Sequence, residues 1–372
     1  MRVAVDASPL AYRPWTGVAR ALITHLRALA ARDDRPELVV CLPQDAVEGV
    51  RVAIEAWNHG AGKSRAPARI LSVAVRPGDG LAWRRLLPLA LQREAVDVFL
   101  SPWSAFPDLD APVVSTVHEL PFVRNGPIEG FARMLAHRMW LRRDVSTCAA
   151  IVVPSTATRD DLLSLHPDAA PRVHVVPHGF DPAPFEEAGP AHPARPAPAR
   201  PYGLLVGARG PRKGIATWWE ARGRLDGALD WWLVGRPDDA SAPGLRSDAS
   251  VQVLDTVEDG GVAPLLAGAR LLVYPSRSEG FGFPPLEAMA SGVPVVATAA
   301  GSIPEVCGDA ALLVPPDDAV ALADAIRRVA TDEALRADLI AKGRVRCRAF
   351  PPDRQAALLL GVLRHAVVTG HP

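Results

Sequence analysis

The sequence predicts an α/β protein with two domains, each a parallel β-sheet covered by helices. Short apolar runs alternate with helical patterns along the chain, as in repeated βαβ units. Several of these runs are apolar on both faces, which is typical of strands in a sheet that has helices on both sides. The chain has 372 residues, long enough for two hydrophobic cores. A proline-rich segment interrupts the alternation once, between the two halves.

The first half, residues 1–180, forms the first predicted domain. Its helical stretches include 16–32, 128–145 and 156–165, and Ser155 is a suitable N-cap for the last of them. The carboxyl ends of its strands should form a ligand-binding edge, as they do in open α/β sheets. The strands are predicted over the apolar runs 2–7, 37–43, 69–75, 97–102, 112–120, 150–155 and 173–179.

A linker and a second domain follow. Seven of the twenty residues in 182–201 are prolines, which predicts an extended, semi-rigid connection, and we assign 181–201 to this linker. The second domain is predicted over 202–352, with a C-terminal helix over about 353–372. The strands of the second domain are predicted over 202–208, 231–235, 251–257, 270–276, 294–301 and 311–316.

The composition excludes several classes of protein. The formal net charge is zero, which argues against general binding of nucleic acid or another polyanion. The four cysteines are scattered without a CxxC pair, which indicates a reducing compartment and no structural zinc or disulfide framework. The N-terminal MRVAVDASPL has the pattern of a strand, not that of a signal peptide. No apolar run is long enough to span a membrane, and we expect a cytoplasmic protein.

The most informative stretch is EGFGFPPLE, residues 279–287, between a predicted strand and a predicted helix. Such a turn offers backbone N–H groups and the positive end of a helix dipole to an anion. Glu279 is predicted in the loop and Glu287 in the first turn of the helix. Taken alone, either glutamate is a surface or helix-stabilising carboxylate. Beside a phosphate, however, carboxylates can hydrogen-bond sugar hydroxyls, which suggests a nucleotide sugar as the ligand.

A second candidate anion site is VGARGPRKG, residues 206–214, after the first strand of the second domain. Only three of the 41 cationic residues in the chain are lysines, and Lys213 is one of them. Its compact charge suits phosphate oxygens, and Arg209 or Arg212 could supply a forked second contact. A solvated basic turn is the alternative interpretation of this segment.

The second half resembles the large retaining glycosyltransferase family called family 4, whose fold is GT-B. The Glu-x7-Glu element from Glu279 to Glu287 matches the family's characteristic motif, and the sequence over 287–318 continues the resemblance. In the first half, TGVARAL (16–22) and STVHELP (115–121) are similar to family segments. The resemblance implies two Rossmann-like βαβ domains that face each other across a cleft. It also implies that the C-terminal helix packs back on the first domain.

The resemblance assigns roles in donor binding and catalysis. It implies that Glu279 hydrogen-bonds the donor hexose and that Glu287 holds the ribose hydroxyls. Lys213 and one neighbouring arginine would bind the diphosphate. Many family members have an arginine where this chain has Ala208, so the second cation is left open between two arginines, Arg209 and Arg212.

The remaining assigned residues come from the glycine turn and from the first domain. The resemblance implies that His118 reaches toward the transferred sugar, and that Gly17 leaves room for the donor phosphates. Without the family match, a lone histidine such as His118 is more often structural. The residues whose backbone would meet the sugar and the distal phosphate are Gly280, Phe281, Gly282 and Phe283.

Two further features have competing interpretations. Asp108 and Asp110 form a DxD sequence, but the proline-flanked context favours chance over a metal site. We therefore expect no metal and no cofactor beyond the substrate. The helix over 131–145 mixes apolar residues with arginines. An ordinary amphipathic helix is the favoured interpretation, and peripheral contact with anionic lipid is the alternative.

The function predicted from these features is retaining transfer of a hexose from a nucleotide diphosphate sugar to an acceptor hydroxyl. The resemblance to mannosyltransferases suggests GDP-mannose as the donor, with UDP- and dTDP-sugars as alternatives. The pathway would be glycan, polysaccharide or glycolipid synthesis. The acceptor would be a sugar, a lipid-linked molecule or a small molecule. The alternatives are a GT-B nucleotide-sugar epimerase and a non-catalytic nucleotide-sugar-binding protein.

Overall fold

The computed structural model describes the chain except residues 13–15, 45–67, 77, 103–108, 127–129, 191–199, 238–239, 258–259 and 371–372. The chain divides into two compact units. Unit 1 comprises Met1–His118, Leu135–Gly179 and Phe350–Pro372, and unit 2 comprises Glu119–Met134 and Phe180–Ala349.

Unit 1 is built on a parallel sheet. Its strands are β1 (Arg2–Asp6), β2 (Glu37–Pro43), β3 (Arg69–Val73), β4 (Val98–Ser101), β5 (Val113–Thr116), β6 (Ala150–Val153) and β7 (Val173–Val175). They lie in the order β3-β2-β1-β4-β5-β6-β7. In β1, Val3 is opposite Leu38 of β2 on one side and Val98 of β4 on the other. All neighbouring strands are parallel, so their carboxyl ends lie at one edge of the sheet.

Unit 2 contains a second parallel sheet. Its strands are β8 (Tyr202–Val206), β9 (Asp230–Val234), β10 (Val251–Leu254), β11 (Leu271–Tyr274), β12 (Val295–Thr298) and β13 (Ala311–Val314). They lie in the order β10-β9-β8-β11-β12-β13. The chain passes from β10 back across the sheet to β11, which pairs with β8. The loops after β8 and β11 therefore lie side by side where the strand order reverses, the usual ligand position in an open α/β sheet.

Helices connect the strands. They are α1 (Ser8–Tyr12), α2 (Gly17–Ala31), α3 (Gly80–Leu91), α4 (Pro121–Asn125), α5 (Phe131–Thr147), α6 (Thr156–Leu165), α7 (Ala183–Glu186), α8 (Ile215–Arg222), α9 (Val262–Ala267), α10 (Phe283–Ala290), α11 (Ile303–Cys307), α12 (Ala319–Thr331), α13 (Glu333–Arg346) and α14 (Pro352–Thr369). Ser155 caps α6, since its hydroxyl accepts a hydrogen bond from the backbone N–H of Thr158 at 3.1 Å. In the described part of the chain, no helix combines the length and apolarity that crossing a membrane requires.

Each unit has its own buried core. In unit 1, Leu359 and Leu363 of α14 join Leu22 and Leu26 of α2 in one apolar cluster beneath β1. The C-terminal helix is thus part of unit 1. In unit 2, the Trp218 side chain is fully buried and meets the Trp231 ring edge-on, with ring centroids 5.3 Å apart.

The predicted fold class, α/β with two Rossmann-like parallel-sheet domains, is confirmed. Every strand predicted from an apolar run is present, although most end one to four residues early, because the final residues of each run enter the loops at the sheet edge.

The domain boundaries differ in one segment. Residues 119–134 were placed in the first domain by the sequence but group with unit 2. Contacts within unit 2 explain this grouping: Glu119 pairs with Arg212, and the Asn125 side chain donates to the backbone carbonyl of Arg277 at 3.2 Å.

The prediction of an extended linker over 182–201 was wrong at its start. Residues Ala183–Glu186 form α7, where the Ala183 N–H donates to the Asp181 carboxylate at 3.1 Å and the ring of Phe185 stacks on that of Phe180. Both contacts stabilise a helical turn in spite of the surrounding prolines. The residues 191–199 of the predicted linker lie outside the described part of the chain.

Candidate active site

The candidate site lies in unit 2, where the loops after β8 and β11 meet. Glu279, in the loop between β11 and α10, has a side chain only 9% exposed. Its carboxylate forms a close ion pair with the Lys213 ammonium and lies 3.8 Å from the guanidinium of Arg212. Arg212 also pairs with Glu119 at 3.1 Å. Glu279 and Glu119 thus lie in contact with Lys213 and Arg212 in one cluster of charged side chains.

The cluster fixes the charge of Glu279. Burial by itself would raise the pKa of this carboxyl, but the positive charges of Lys213 and Arg212 outweigh burial, so its pKa lies below the ordinary value of 4.5. Glu279 is therefore ionised at neutral pH. An ionised carboxylate accepts hydrogen bonds, and it would accept strong ones from hydroxyl donors such as those of a sugar.

Tyr274, the last residue of β11, forms one wall of the cluster. The Lys213 ammonium lies 3.3 Å from its hydroxyl and 5.4 Å from the centre of its ring. Burial, followed by the charge of Glu279, raises the pKa of Tyr274 well above 10. The phenol is therefore neutral, so it holds the ammonium in place without adding a negative charge.

The position of Lys213 follows from a tight turn. Residues Pro211–Lys213 form a single 3₁₀ turn, and Gly214 then adopts a left-handed conformation with φ of 64° at the start of α8. A Cβ atom at Gly214 would lie 1.9 Å from the carbonyl oxygen of Pro275. Only glycine allows this approach, which brings the 206–214 loop directly against the end of β11.

The glycine turn before α10 is fixed by the loop after β12. The backbone N–H of Ser302 donates to the Glu279 carbonyl at 3.0 Å, and the Ser302 hydroxyl lies 2.9 Å from the Phe281 carbonyl. Gly282 has φ of 97°, and a Cβ atom there would lie 2.6 Å from the Ile303 side chain. These contacts hold the backbone of Gly280–Phe283 in one conformation.

Glu287 occupies a different position from the predicted one. The helix α10 begins at Phe283 with Pro284 in its first turn, so Glu287 is its fifth residue and lies in the second turn. The prediction of a first-turn carboxylate was wrong because the helix starts one residue before the prolines. The side chain is buried, with 1% of its surface exposed.

The two candidate arginines lie in different environments. Arg212 contacts Glu119 and faces Glu279, whereas Arg209 is exposed at the surface. Ala208, which stands beside Arg209 in the same loop, is buried in the core of unit 2. The structure therefore brings Arg212 into the cluster with Lys213 and leaves Arg209 outside it.

The other two predicted residues belong to unit 1. Gly17 is the first residue of α2, which Thr16 caps. The Nε2 atom of His118 lies 3.1 Å from the carbonyl oxygen of Pro102. Its ring lies 5.4 Å from that of His178, which is equally far from the ring of His25. Burial lowers the pKa of His118 to about 4, so its ring is neutral at pH 7, and Nε2 donates its proton to the Pro102 carbonyl.

Sequence reasoning missed three residues of the site. Glu119 follows His118 directly, but nothing in its spacing shows that it pairs with Arg212. Tyr274 stands in a predicted strand, and nothing in the sequence distinguishes it from the other residues of that strand. Ser302 stands in a segment quoted only for its family resemblance, and its hydrogen bonds to the glycine turn depend on the packing of two distant loops.

Metal-binding side chains form no cluster in the described ranges, where no three His, Cys, Asp or Glu residues are placed to share an ion. Asp110 lies in a described loop, whereas Asp108, the other half of the DxD sequence, is outside the described residues. The four cysteines are buried free thiols.

The chain is similar to known glycosyltransferases over both of its halves. The glycosyltransferase family 4 profile matches residues 15–184, and the profile described as glycosyl transferases group 1 matches residues 200–332. The chain is 26% identical to O-antigen chain mannosyltransferase B from Escherichia coli over 94% of its own length and 96% of that protein. It is 31% identical to alpha-maltose-1-phosphate synthase from Mycolicibacterium smegmatis over 63% of its own length and 68% of that protein.

The fold also matches solved structures. A crystal structure of HepE from Anabaena, in complex with UDP and glucose, superposes with a TM-score of 0.70 at 16% identity. The match covers 98% of this chain and 99% of that one, and it supports the GT-B fold class. Together, the two profiles and the relatives identify the chain as a member of the family 4 glycosyltransferases of the GT-B fold.

Proposed function

We propose that this glycosyltransferase moves a hexose from a nucleotide diphosphate sugar to an acceptor hydroxyl, with retention of anomeric configuration. One observation carries the proposal: the Lys213 and Arg212 cations lie beside the ionised Glu279 at the rigid glycine turn. Cations suit a diphosphate, and a carboxylate suits sugar hydroxyls. Both requirements of a nucleotide sugar are met within one small cluster.

In this proposal, contacts with the bound donor replace the ion pairs that Glu279 forms within the cluster. Its diphosphate takes the positive charges of Lys213 and Arg212, and the hexose hydroxyls donate to the freed carboxylate of Glu279. The backbone of Gly280–Phe283 contacts the sugar and distal phosphate, and Glu287 binds the ribose hydroxyls. The roles predicted for Gly17 and His118 in unit 1 stay predictions.

The reaction breaks the bond between the anomeric carbon and the diphosphate oxygen and forms a bond from that carbon to the acceptor oxygen. The proton of the acceptor hydroxyl passes to the departing diphosphate oxygen on the same face of the sugar. Negative charge therefore grows on the diphosphate in the transition state, next to Lys213 and Arg212. By analogy with oxyanion-hole donors, removing one of these cations should raise the barrier by about 3–4 kcal/mol.

We propose a mannose-like hexose as the transferred sugar, with GDP-mannose as the first donor to test, and a sugar or lipid-linked acceptor in glycan or polysaccharide synthesis. The likeness to an O-antigen chain mannosyltransferase over nearly the full length of both chains supports this choice. The UDP and glucose in the HepE complex make UDP-glucose the second donor to test.

The proposal is tested by following release of nucleoside diphosphate from each donor, with and without acceptor sugars. Slow release that an acceptor accelerates supports transfer, and NMR of the product's anomeric proton reports retention or inversion. Glu279→Gln should abolish turnover, while Glu220→Gln, at an exposed helix position of the same unit, should not. Binding of donor without turnover would support the non-catalytic alternative, and isomerised donor would support an epimerase.

A further inference from the structure

The helix α5 exposes apolar side chains that an ordinary amphipathic helix would bury. Within α5, only Leu141 and Asp144 are buried. Leu135 and Met139, one turn apart on the same side, are 48% and 60% exposed. The ordinary packing favoured from the sequence therefore does not account for this helix.

A second helix of unit 1 shows the same exposure. The helix α3 packs inward through the regularly spaced Trp83, Leu87 and Leu91. On its other side, Leu81 is 72% exposed and Leu89 is 56% exposed. Large exposed apolar groups on two neighbouring helices mark an interaction surface more often than a free one.

The two helices meet at a cation–π contact. The guanidinium of Arg84 in α3 lies 4.5 Å from the centre of the Trp140 ring in α5. This contact places the two helices beside each other at Arg84 and Trp140, and each helix has exposed apolar side chains. We name the exposed side chains of both helices the α3–α5 surface, which consists of Leu81, Arg85, Leu86, Leu89, Leu135, Arg138, Met139, Trp140 and Arg142.

All charged side chains of the α3–α5 surface are positive. Its charged members are arginines, and the nearby acidic groups are engaged elsewhere. Asp144 is buried and accepts a hydrogen bond from Ser115 at 2.9 Å, and Glu94 is buried in an ion pair with Arg69. Asp79 caps α3 through the backbone N–H of Ala82 at 2.9 Å. Among the residues that the structure describes, no acidic side chain pairs with Arg85, Arg138 or Arg142, so this surface combines apolar side chains with positive charge, although the whole chain is formally neutral.

We propose that the α3–α5 surface docks on an anionic phospholipid bilayer. Leucine, methionine and tryptophan side chains can enter the boundary between headgroups and acyl chains, while the arginines remain at the level of the anionic phosphates. A second copy of the chain fits poorly, because it would bring arginines against arginines. Nucleic acid would leave the leucines without an apolar partner. The proposal does not rest on glycosyl transfer, since it concerns a different surface.

The test is flotation of the full chain with vesicles, without any nucleotide sugar. One set of vesicles contains phosphatidylcholine with a third phosphatidylglycerol, and the other contains phosphatidylcholine alone. Binding is expected to the anionic vesicles only, and it should weaken between ~0.1 M and ~1 M salt, where the screening length falls from about 10 Å to about 3 Å. Failure to bind anionic vesicles at ~0.1 M salt would overturn the proposal.

Matched variants separate the α3–α5 surface from general surface properties. Each arginine near an anionic membrane strengthens partitioning by about fivefold, so replacing three of them should weaken it about a hundredfold. The test variant changes Arg85, Arg138 and Arg142 to Gln. The control variant changes Arg27, Arg328 and Arg354 to Gln, which are exposed on other helices. Equal loss in both variants would overturn the assignment of the surface.

The apolar part is tested in the same way. Changing Leu81, Leu89 and Met139 to Ser should reduce binding by on the order of tenfold or more. The control changes Val320, Val345 and Val368, which are exposed elsewhere, to Ser. Circular dichroism checks that each variant folds. Light scattering without vesicles identifies self-association, and a dimer that the leucine variant abolishes would replace the membrane proposal with a protein interface.

Discussion

The Lys213–Glu279 pair offers the sharpest test of the site, because removing one partner should cost more stability than removing both. Lys213→Met leaves the carboxylate of Glu279, only 9% exposed, with Arg212 at 3.8 Å as its remaining cation. Loss of one partner from a buried ion pair costs about 3–5 kcal/mol of unfolding free energy. The remaining arginine places the expected cost near the lower end, at about 3 kcal/mol.

The double variant Lys213→Met, Glu279→Gln removes both charges and should recover much of this loss. Burial of a neutral amide costs far less free energy than burial of an unpaired carboxylate. At about 2–4 °C per kcal/mol, the single variant should lose about 6–12 °C in melting temperature, and the double variant clearly less. Differential scanning calorimetry at pH 7 measures both shifts. Lys342→Met, at an exposed lysine paired with Asp338, is the control.

The pH dependence of these shifts adds an independent check. The pKa of Glu279 is held below 4.5, so in the wild type its ion pair stabilises the fold above that pH and the contribution is lost as pH falls further. In Lys213→Met the carboxyl can protonate, so the deficit relative to wild type should shrink as pH falls toward 4.5. A double variant less stable than Lys213→Met would refute the reasoning, as would a deficit that is independent of pH.

Three further predictions concern neighbouring features. Glu119→Gln releases the guanidinium of Arg212 from its carboxylate partner, so nucleoside diphosphate should bind a few-fold more tightly in a thermal-shift titration; weaker binding would contradict this. Gly214→Ala should abolish folding or lower the free energy of unfolding by several kcal/mol, because the new Cβ would clash with the Pro275 carbonyl. As the control, Gly260→Ala should lower it by only about 1 kcal/mol, since Gly260 has a positive φ but open space around it. Burial lowers the pKa of His25 to about 3 in the folded protein. Below pH ~6.5, the ordinary pKa of histidine, His25 is therefore protonated in the unfolded chain but not in the folded one. The free energy of unfolding should fall by up to about 1.4 kcal/mol per pH unit from pH ~6.5 down to ~4. His25→Gln should flatten this slope in pH-dependent denaturant unfolding, and an unchanged slope would assign it to other groups.

The sheets could be predicted well because each buried strand carries an apolar run that its length and flanking turns identify. The helices were less complete. The helix α3 was not predicted, because Pro88 interrupts its pattern, and α7 was hidden among linker prolines. The grouping of residues 119–134 with unit 2 depends on contacts such as that of Asn125 with Arg277, which no local pattern encodes.

For the site, the sequence identified the glycine turn and Lys213 but could not choose between Arg209 and Arg212. Arg212 lies in the 3₁₀ turn Pro211–Lys213 and Arg209 precedes this turn. The Arg277 N–H donates to the Arg212 carbonyl at 2.8 Å, which ties Arg212 to the loop that carries Glu279, and no local sequence pattern encodes this contact. Glu119 was missed for a related reason: its pairing joins residues 93 positions apart in the sequence.

The pairing of two carboxylates with two cations has a consequence for the proposed function. A diphosphate that binds Lys213 and Arg212 competes with the carboxylates of Glu279 and Glu119 for these two cations. Displacing Glu279 frees its carboxylate at the moment when the hexose hydroxyls arrive to hydrogen-bond it. A donor that carries both a diphosphate and a correctly placed hydroxyl group supplies a new partner for Lys213 and a new partner for Glu279. A nucleoside diphosphate without the sugar leaves a buried carboxylate uncompensated, and the site should therefore favour the intact donor over the product nucleotide.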